Sequence, residues 1–138
     1  MLIFKDITAL VARLLTGSVL IAHGWQKFNE WTIAGTTQAF EGMGVPLPGL
    51  SAPLAAVIEL VGGILILLGL GTRWVGVIVA ALMAGAAIIA HVPNGIFVDA
   101  GGWELVGMIA AAGLALAASG AGRVSVDHLI ASRRTPAA

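Results

Sequence analysis

Two histidines, a lysine and a glutamate stand out as residues with chemistry to offer: His23, Lys27, His91 and Glu104. Each falls at the end of an apolar stretch. His23 and Lys27 are i,i+4 neighbours on one helix face. Brought together at similar depth, they would form a polar pocket of the kind helical bundles build between facing helices. Lysine and histidine donate hydrogen bonds, and a carboxyl group exchanges protons. That set suits a quinone headgroup, which needs a donor for each carbonyl and a source of protons. The competing reading is that these side chains merely face headgroup water. Neither H-x-x-x-H nor E-x-x-H spacing occurs, so no metal site is expected. Haem ligation by His23 and His91 from opposite helices has no supporting motif, and His128 lies in a tail that cannot join them. The chain has no cysteine, which removes disulfides, CxxC pairs and iron–sulfur clusters.

A second pair lies deeper. Arg13 sits inside an apolar stretch, where an arginine at mid-bilayer costs about 2.5–3.5 kcal/mol on the insertion scale. It either snorkels to the near interface or pairs inside the bundle. Its face carries Ala9, Thr16 and Gly17, which suits close helix packing. Glu59, among Ala55, Ala56, Gly62 and Gly63, is the expected partner. Counted from the outer helix ends at 1.5 Å per residue, Glu59 lies about 10 Å deep and Arg13 about 16 Å. An arginine side chain spans that difference. The alternative for Glu59 is a proton-relay carboxyl or a ligand group.

The elements that must position these residues follow from composition. The 138 residues are 59% hydrophobic and 10% charged, with mean hydropathy +1.01. Soluble domains run about 45–50% apolar and about 25% charged, so both a soluble fold and a disordered chain are excluded. Seven bases balance seven acids, which leaves no basic field for nucleic acid. An all-α integral membrane four-helix bundle is expected in the lipid bilayer. Its spans fall at about 7–24, 52–71, 74–91 and 103–119, with 120–138 as a tail. The first span is expected to be retained, because it ends in His23-Gly24-Trp25-Gln26 rather than a small-x-small cleavage site.

Lys5, Arg73, Arg123, Arg133 and Arg134 fall on one side, against Lys27 alone on the other. The positive-inside rule therefore puts both termini in the cytoplasm. Thr32–Gly44 reads as a short interfacial helix, and Ser125 as the N-cap of a short tail helix. Ala/Gly-rich helix faces serve either the bundle itself or a homodimer.

In order and spacing, several stretches together resemble the DoxX family. They are Ala12-Arg13-Leu14-Leu15 with Gly17, His23-Gly24-Trp25-Gln26-Lys27, Glu59-Leu60-Val61-Gly62-Gly63 and Leu68-Gly69-Leu70-Gly71-Thr72-Arg73. His91-Val92-Pro93-Asn94-Gly95, Gly101-Gly102-Trp103-Glu104 and Gly120-Ala121-Gly122-Arg123-Val124-Ser125-Val126-Asp127 complete them. The resemblance implies a four-helix protein of the bacterial cytoplasmic membrane. Relatives include the membrane part of thiosulfate:quinone oxidoreductases, and others gather soluble redox and stress enzymes. The expected function is a quinone-linked oxidoreductase or its membrane subunit. The alternatives are a scaffold that recruits soluble redox enzymes and a carrier for small solutes or protons.

Overall fold

A computed structural model describes residues 3–134, so the last four residues of the expected tail lie outside the described residues. Among the described residues the regular structure is entirely helical: α1 (Phe4–Asn29), α2 (Thr32–Gly42), α3 (Pro48–Leu68), α4 (Thr72–Ala86), α5 (Glu104–Ser119) and α6 (Val126–Arg134). Helix α4 runs on through a π-turn, Ala87–His91, and a 3₁₀ turn, Val92–Asn94. α1, α3 and Thr72–Asn94 are each long and apolar enough to cross a membrane, and α5 is a shorter apolar helix. At 1.5 Å per residue, the 16 residues of α5 reach about 24 Å. This falls somewhat short of a hydrocarbon core of about 30 Å. The structure is an all-α membrane bundle of four apolar helices, with α2 and α6 as short additions.

Glycine sets the packing. Helices α1 and α3 run antiparallel and nearly touch. A Cβ on Gly17 would lie 2.8 Å from the Gly63 carbonyl oxygen, and one on Gly63 would lie 2.8 Å from the Ile21 nitrogen. A Cβ on Gly24 would meet the backbone nitrogen of Leu60 at 2.5 Å. Helices α4 and α5 form a second antiparallel pair on Gly76 and Gly113, each against the other's carbonyl oxygen. In lipid, apolar side chains gain little by leaving the solvent, so close backbone approach and dispersion hold the helices together. Leu20, Ile66, Val79, Met83, Ile109 and Leu116 fill the space between the two pairs.

The two ends of the bundle differ. One holds the start of α1, the α3–α4 turn and α6 (the terminal end); the other holds α2 and the loop before α5 (the loop end). At the terminal end α3 stops on Gly69, at φ +69°. Gly69 N–H donates to Ile66 O and Leu70 N–H donates to Leu65 O, the paired bonds of a Schellman motif. At the loop end residues 95–104 close on their own backbone. Gly102 N–H donates to Phe97 O, Trp103 N–H to Gly95 O and Glu104 N–H to Ile96 O. Irregular backbone near lipid needs this internal satisfaction.

The register of α1 on α3 gives a direct test. Gly24→Val forces a branched side chain into the Leu60 backbone and should cost about 1–3 kcal/mol, measured as a lower melting temperature in detergent. Gly85→Ala, with no atom within 4 Å of the added carbon, should leave the melting temperature unchanged or raise it.

Candidate functional site

The α1–α3 register places Lys27 and Glu59 side by side. Lys27 Nζ donates to Glu59 Oε2 at 2.6 Å, and both side chains are more than nine-tenths buried. Small neighbours on α3, Ala55, Ala56, Gly62 and Gly63, leave the room. Helix α2 closes over the pair: the Thr36 hydroxyl, itself buried, donates to Thr32 O at 2.8 Å and lies 3.4 Å from Lys27 O. Lys27 Nζ also stands 5.6 Å from the centre of the Trp31 ring, within cation–π range. A buried ion pair bonded this way has the right atoms to hold a polar carbonyl ligand and to move a proton.

This corrects the expected Arg13–Glu59 pair. The depth count took the outer ends of the two helices as level, but the glycine contacts set Gly24 against Leu60. Glu59 is then level with Lys27, and Arg13 lies 14 residues away, about 21 Å along the helix. Arg13 neither snorkels nor meets a carboxylate. It is 2% exposed and its guanidinium is held by backbone carbonyls. Nε donates to Ile66 O at 3.1 Å and Nη2 to Leu67 O at 3.1 Å. Nη1 donates to Ala121 O at 2.6 Å and Val124 O at 2.7 Å. The first two are carbonyls of the last turn of α3, where the helix dipole is negative, and Arg13 shares Ile66 O with Gly69 N–H. Arg13 thus caps α3 and ties the 121–124 segment to it. Gly69 makes space: a Cβ there would fall 2.8 Å from the guanidinium carbon.

None of the other expected members of the polar group bonds to the pair among the described residues. His23 is half-buried and lines a shallow groove with Ala22, Gln26 and Glu30, where Gln26 Nε2 donates to Glu30 Oε2 at 3.1 Å. His91 ends the π-turn, and its Nδ1 lies 2.8 Å from Gly101 O, a carbonyl that can only accept, so Nδ1–H is the donor. Glu104 accepts from Val98 N–H at 2.7 Å. These two residues brace the loop before α5. Of the four, only Lys27 bonds to another ionisable side chain among the described residues, and its partner is Glu59. No group of three or more His, Cys, Asp or Glu residues among the described residues is arranged to hold a metal.

Residues 8–92 match the DoxX family, and residues 52–136 match the TQO small subunit DoxD. The chain belongs to the DoxX family. It is 33% identical to the inner membrane protein YphA of Escherichia coli over 129 residues, covering 90% of this chain and 91% of YphA. It is 34% identical to the inner membrane protein YqjF of the same organism over 126 residues, covering 91% and 94%. It is 42% identical over 83 residues to the Bacillus subtilis protein named "Putative oxidoreductase CatD", covering 60% of this chain and 59% of CatD. No solved structure matches the chain.

Two acids of this DoxX protein do work that sequence reasoning missed. Asp6 accepts from Arg123 N–H at 2.8 Å and from Ile3 N–H at 3.2 Å. Asp127 caps α4 from 55 residues away: its carboxylate oxygens accept from Gly71 N–H at 2.7 Å and Thr72 N–H at 3.0 Å. Asp127 N–H returns a bond to Gly69 O at 2.9 Å. A local signal did exist for one part of this region. Ser125 is the N-cap of α6, its oxygen accepting from His128 N–H at 3.1 Å.

Arg13 is therefore the residue that locks the tail. Arg13→Gln should remove the guanidinium donors of the Leu67, Ala121 and Val124 carbonyls, at a cost of about 1–3 kcal/mol for each one left unsatisfied. Release of the tail would raise the rate of tryptic cleavage after Arg123 by roughly tenfold or more, as local opening becomes cheaper. Arg13→Lys, a point charge without the planar fork, should restore protection only in part.

Proposed function

We propose that this chain is the membrane subunit of a quinone-linked oxidoreductase, with Lys27 and Glu59 at its quinone headgroup site. The buried pair at 2.6 Å carries the reading. Burying two charges is seldom the most stable use of two core positions, since well-packed apolar residues are often neutral or better by about 1–4 kcal/mol. Ionisable groups inside a membrane bundle point to function for that reason. The DoxD match and the oxidoreductase label of CatD support the reaction class. The names of YphA and YqjF support the bacterial inner membrane as the location.

The residues fit a quinone in three respects. Lys27 supplies an N–H donor for one carbonyl, Glu59 supplies a carboxylate that accepts and returns a proton, and the half-exposed Trp31 offers a flat face beside them. A quinone accepts two electrons and two protons, and the electrons would come from a partner enzyme. Binding would draw Lys27 Nζ from Glu59 to the quinone oxygen, and Glu59 would hand protons on from the loop end. His91 and Glu104, which the sequence reading placed in this chemistry, act here as braces of the neighbouring loop. The terminal end faces the cytoplasm in this proposal. Apart from Arg13 it carries five bases, Lys5, Arg73, Arg123, Arg133 and Arg134, against the acids Asp6 and Asp127.

Quinone-analogue binding to the purified chain in nanodiscs tests the site. Glu59→Gln should weaken a ubiquinone or menaquinone analogue about tenfold, about 1.4 kcal/mol. The double variant Lys27→Met with Glu59→Leu should keep or raise the melting temperature, because no charge is left unpaired. It should nonetheless lose the analogue altogether. Wild-type affinity in the double variant would refute the site, and absence of binding to the wild type would refute the quinone-linked reading.

A further inference from the structure

A hollow of about 420 Å³ opens at the terminal end, between the start of α4 and the segment that leads into α6. It is separate from the Lys27–Glu59 pair. Arg73, Trp74, Gly120, Ser125, Asp127 and His128 line it. Arg73 lies across its wall. Its Nη1 makes a long contact with Ala117 O, 3.4 Å, and among the described residues its remaining donors carry no protein partner. Gly120, at φ +78°, lies beside the guanidinium: a Cβ there would stand 3.5 Å from Nη2, an ordinary contact. His128, contributed by α6, also lines the hollow. Trp74, 80% exposed in the first turn of α4, marks the rim at the depth where indoles favour the membrane interface.

The one acid in the hollow is partly offset: both Asp127 oxygens accept from the Gly71 and Thr72 N–H groups at the N-terminus of α4. The surroundings are also positive, with five bases against two acids at this end outside Arg13. The loop end carries Lys27 alone against Glu30, Glu41, Glu59, Asp99 and Glu104. Guanidinium donors and an imidazole at the membrane edge, beneath an indole, are complementary to a phosphate oxyanion attached to an acyl chain.

We propose that this hollow binds the phosphate of an anionic phospholipid headgroup, with Arg73 and His128 as the donors and Trp74 against the glycerol and upper acyl chain. The ligand would join α4 to α6 from outside and so fasten the tail that Arg13 fastens from within.

The test uses the full chain with Trp25, Trp31 and Trp103 changed to Phe, which leaves Trp74 as the reporter. The chain is reconstituted in vesicles doped with brominated phosphatidylglycerol or brominated phosphatidylcholine. Phosphatidylglycerol should quench Trp74 at an at least fivefold lower mole fraction than phosphatidylcholine. Arg73→Gln and His128→Gln should each reduce that preference, and the double variant should abolish it. Arg73→Lys, which keeps the charge, should retain part of it, which separates loss of the site from loss of the fold. Equal quenching by the two lipids in the unsubstituted site, or a preference that survives the double variant, would overturn the proposal. So would relief of the quenching by 10 mM inorganic phosphate, which would assign the hollow to a free anion instead of a lipid.

Discussion

The contact of α1 with α3 through Gly17, Gly24 and Gly63 governs the rest of the molecule. Backbone meets backbone there, with gaps that no Cβ would fit. A contact between two helix backbones permits one register, because sliding by a residue drives a side chain into a main-chain atom. That register sets Lys27 level with Glu59 at one end and Arg13 level with the last turn of α3 at the other. Neither ionic arrangement could form if α1 moved by one turn, about 5.4 Å. Steric exclusion between glycines thus decides which charges meet.

Much of the fold is visible in the residue order. The apolar stretches mark four helices, with ends that shift by a few residues. The structure starts α3 at Pro48, four residues before the expected span, and continues α1 to Asn29, five residues past it. Polar residues inside a helix end, such as Gln26 and Lys27, do not stop the helix when α2 and α3 cover them. The small-residue faces around Arg13 and Glu59 were also legible as packing surfaces. What could not be read was the partner of each charge. A depth count from helix ends is accurate only when the ends are level, and three glycines set them out of level. Asp127 is less legible still. It caps a helix 55 residues earlier in the chain, and nothing near it in sequence marks a carboxylate as a cap for anything but its own helix.

The terminal end shows how a short tail becomes part of a membrane bundle. Segment 120–127 has little apolar surface with which to pack, and its order comes from polar bonds. Arg13 takes the carbonyls of Ala121 and Val124, Asp6 takes the N–H of Arg123, and Asp127 exchanges bonds with the α3–α4 turn. Every one of these bonds joins groups that would otherwise be unpaired at a helix end or in a turn. At a membrane edge such groups cannot rely on bulk water alone, and the cost of leaving them unmade exceeds the net gain of an ordinary hydrogen bond. The tail is therefore held by satisfying the bundle's orphan groups as much as its own.

The two buried cations answer the same electrostatic problem in different ways, and the difference bears on what each end can do. Arg13 is neutralised by the dipoles of four carbonyls. Guanidinium remains protonated in proteins, and carbonyl oxygens cannot take its proton, so the arrangement has a single charge state. It is suited to holding a structure fixed. Lys27 is neutralised by a carboxylate across one short bond. In the proposed quinone site that carboxylate is the group that would pass a proton to the bound headgroup. On that proposal, a bundle that fixes its helices with Arg13 and sets a carboxylate beside Lys27 divides structural and chemical roles between its two ends. The glycine contacts between them fix the register on which both arrangements depend.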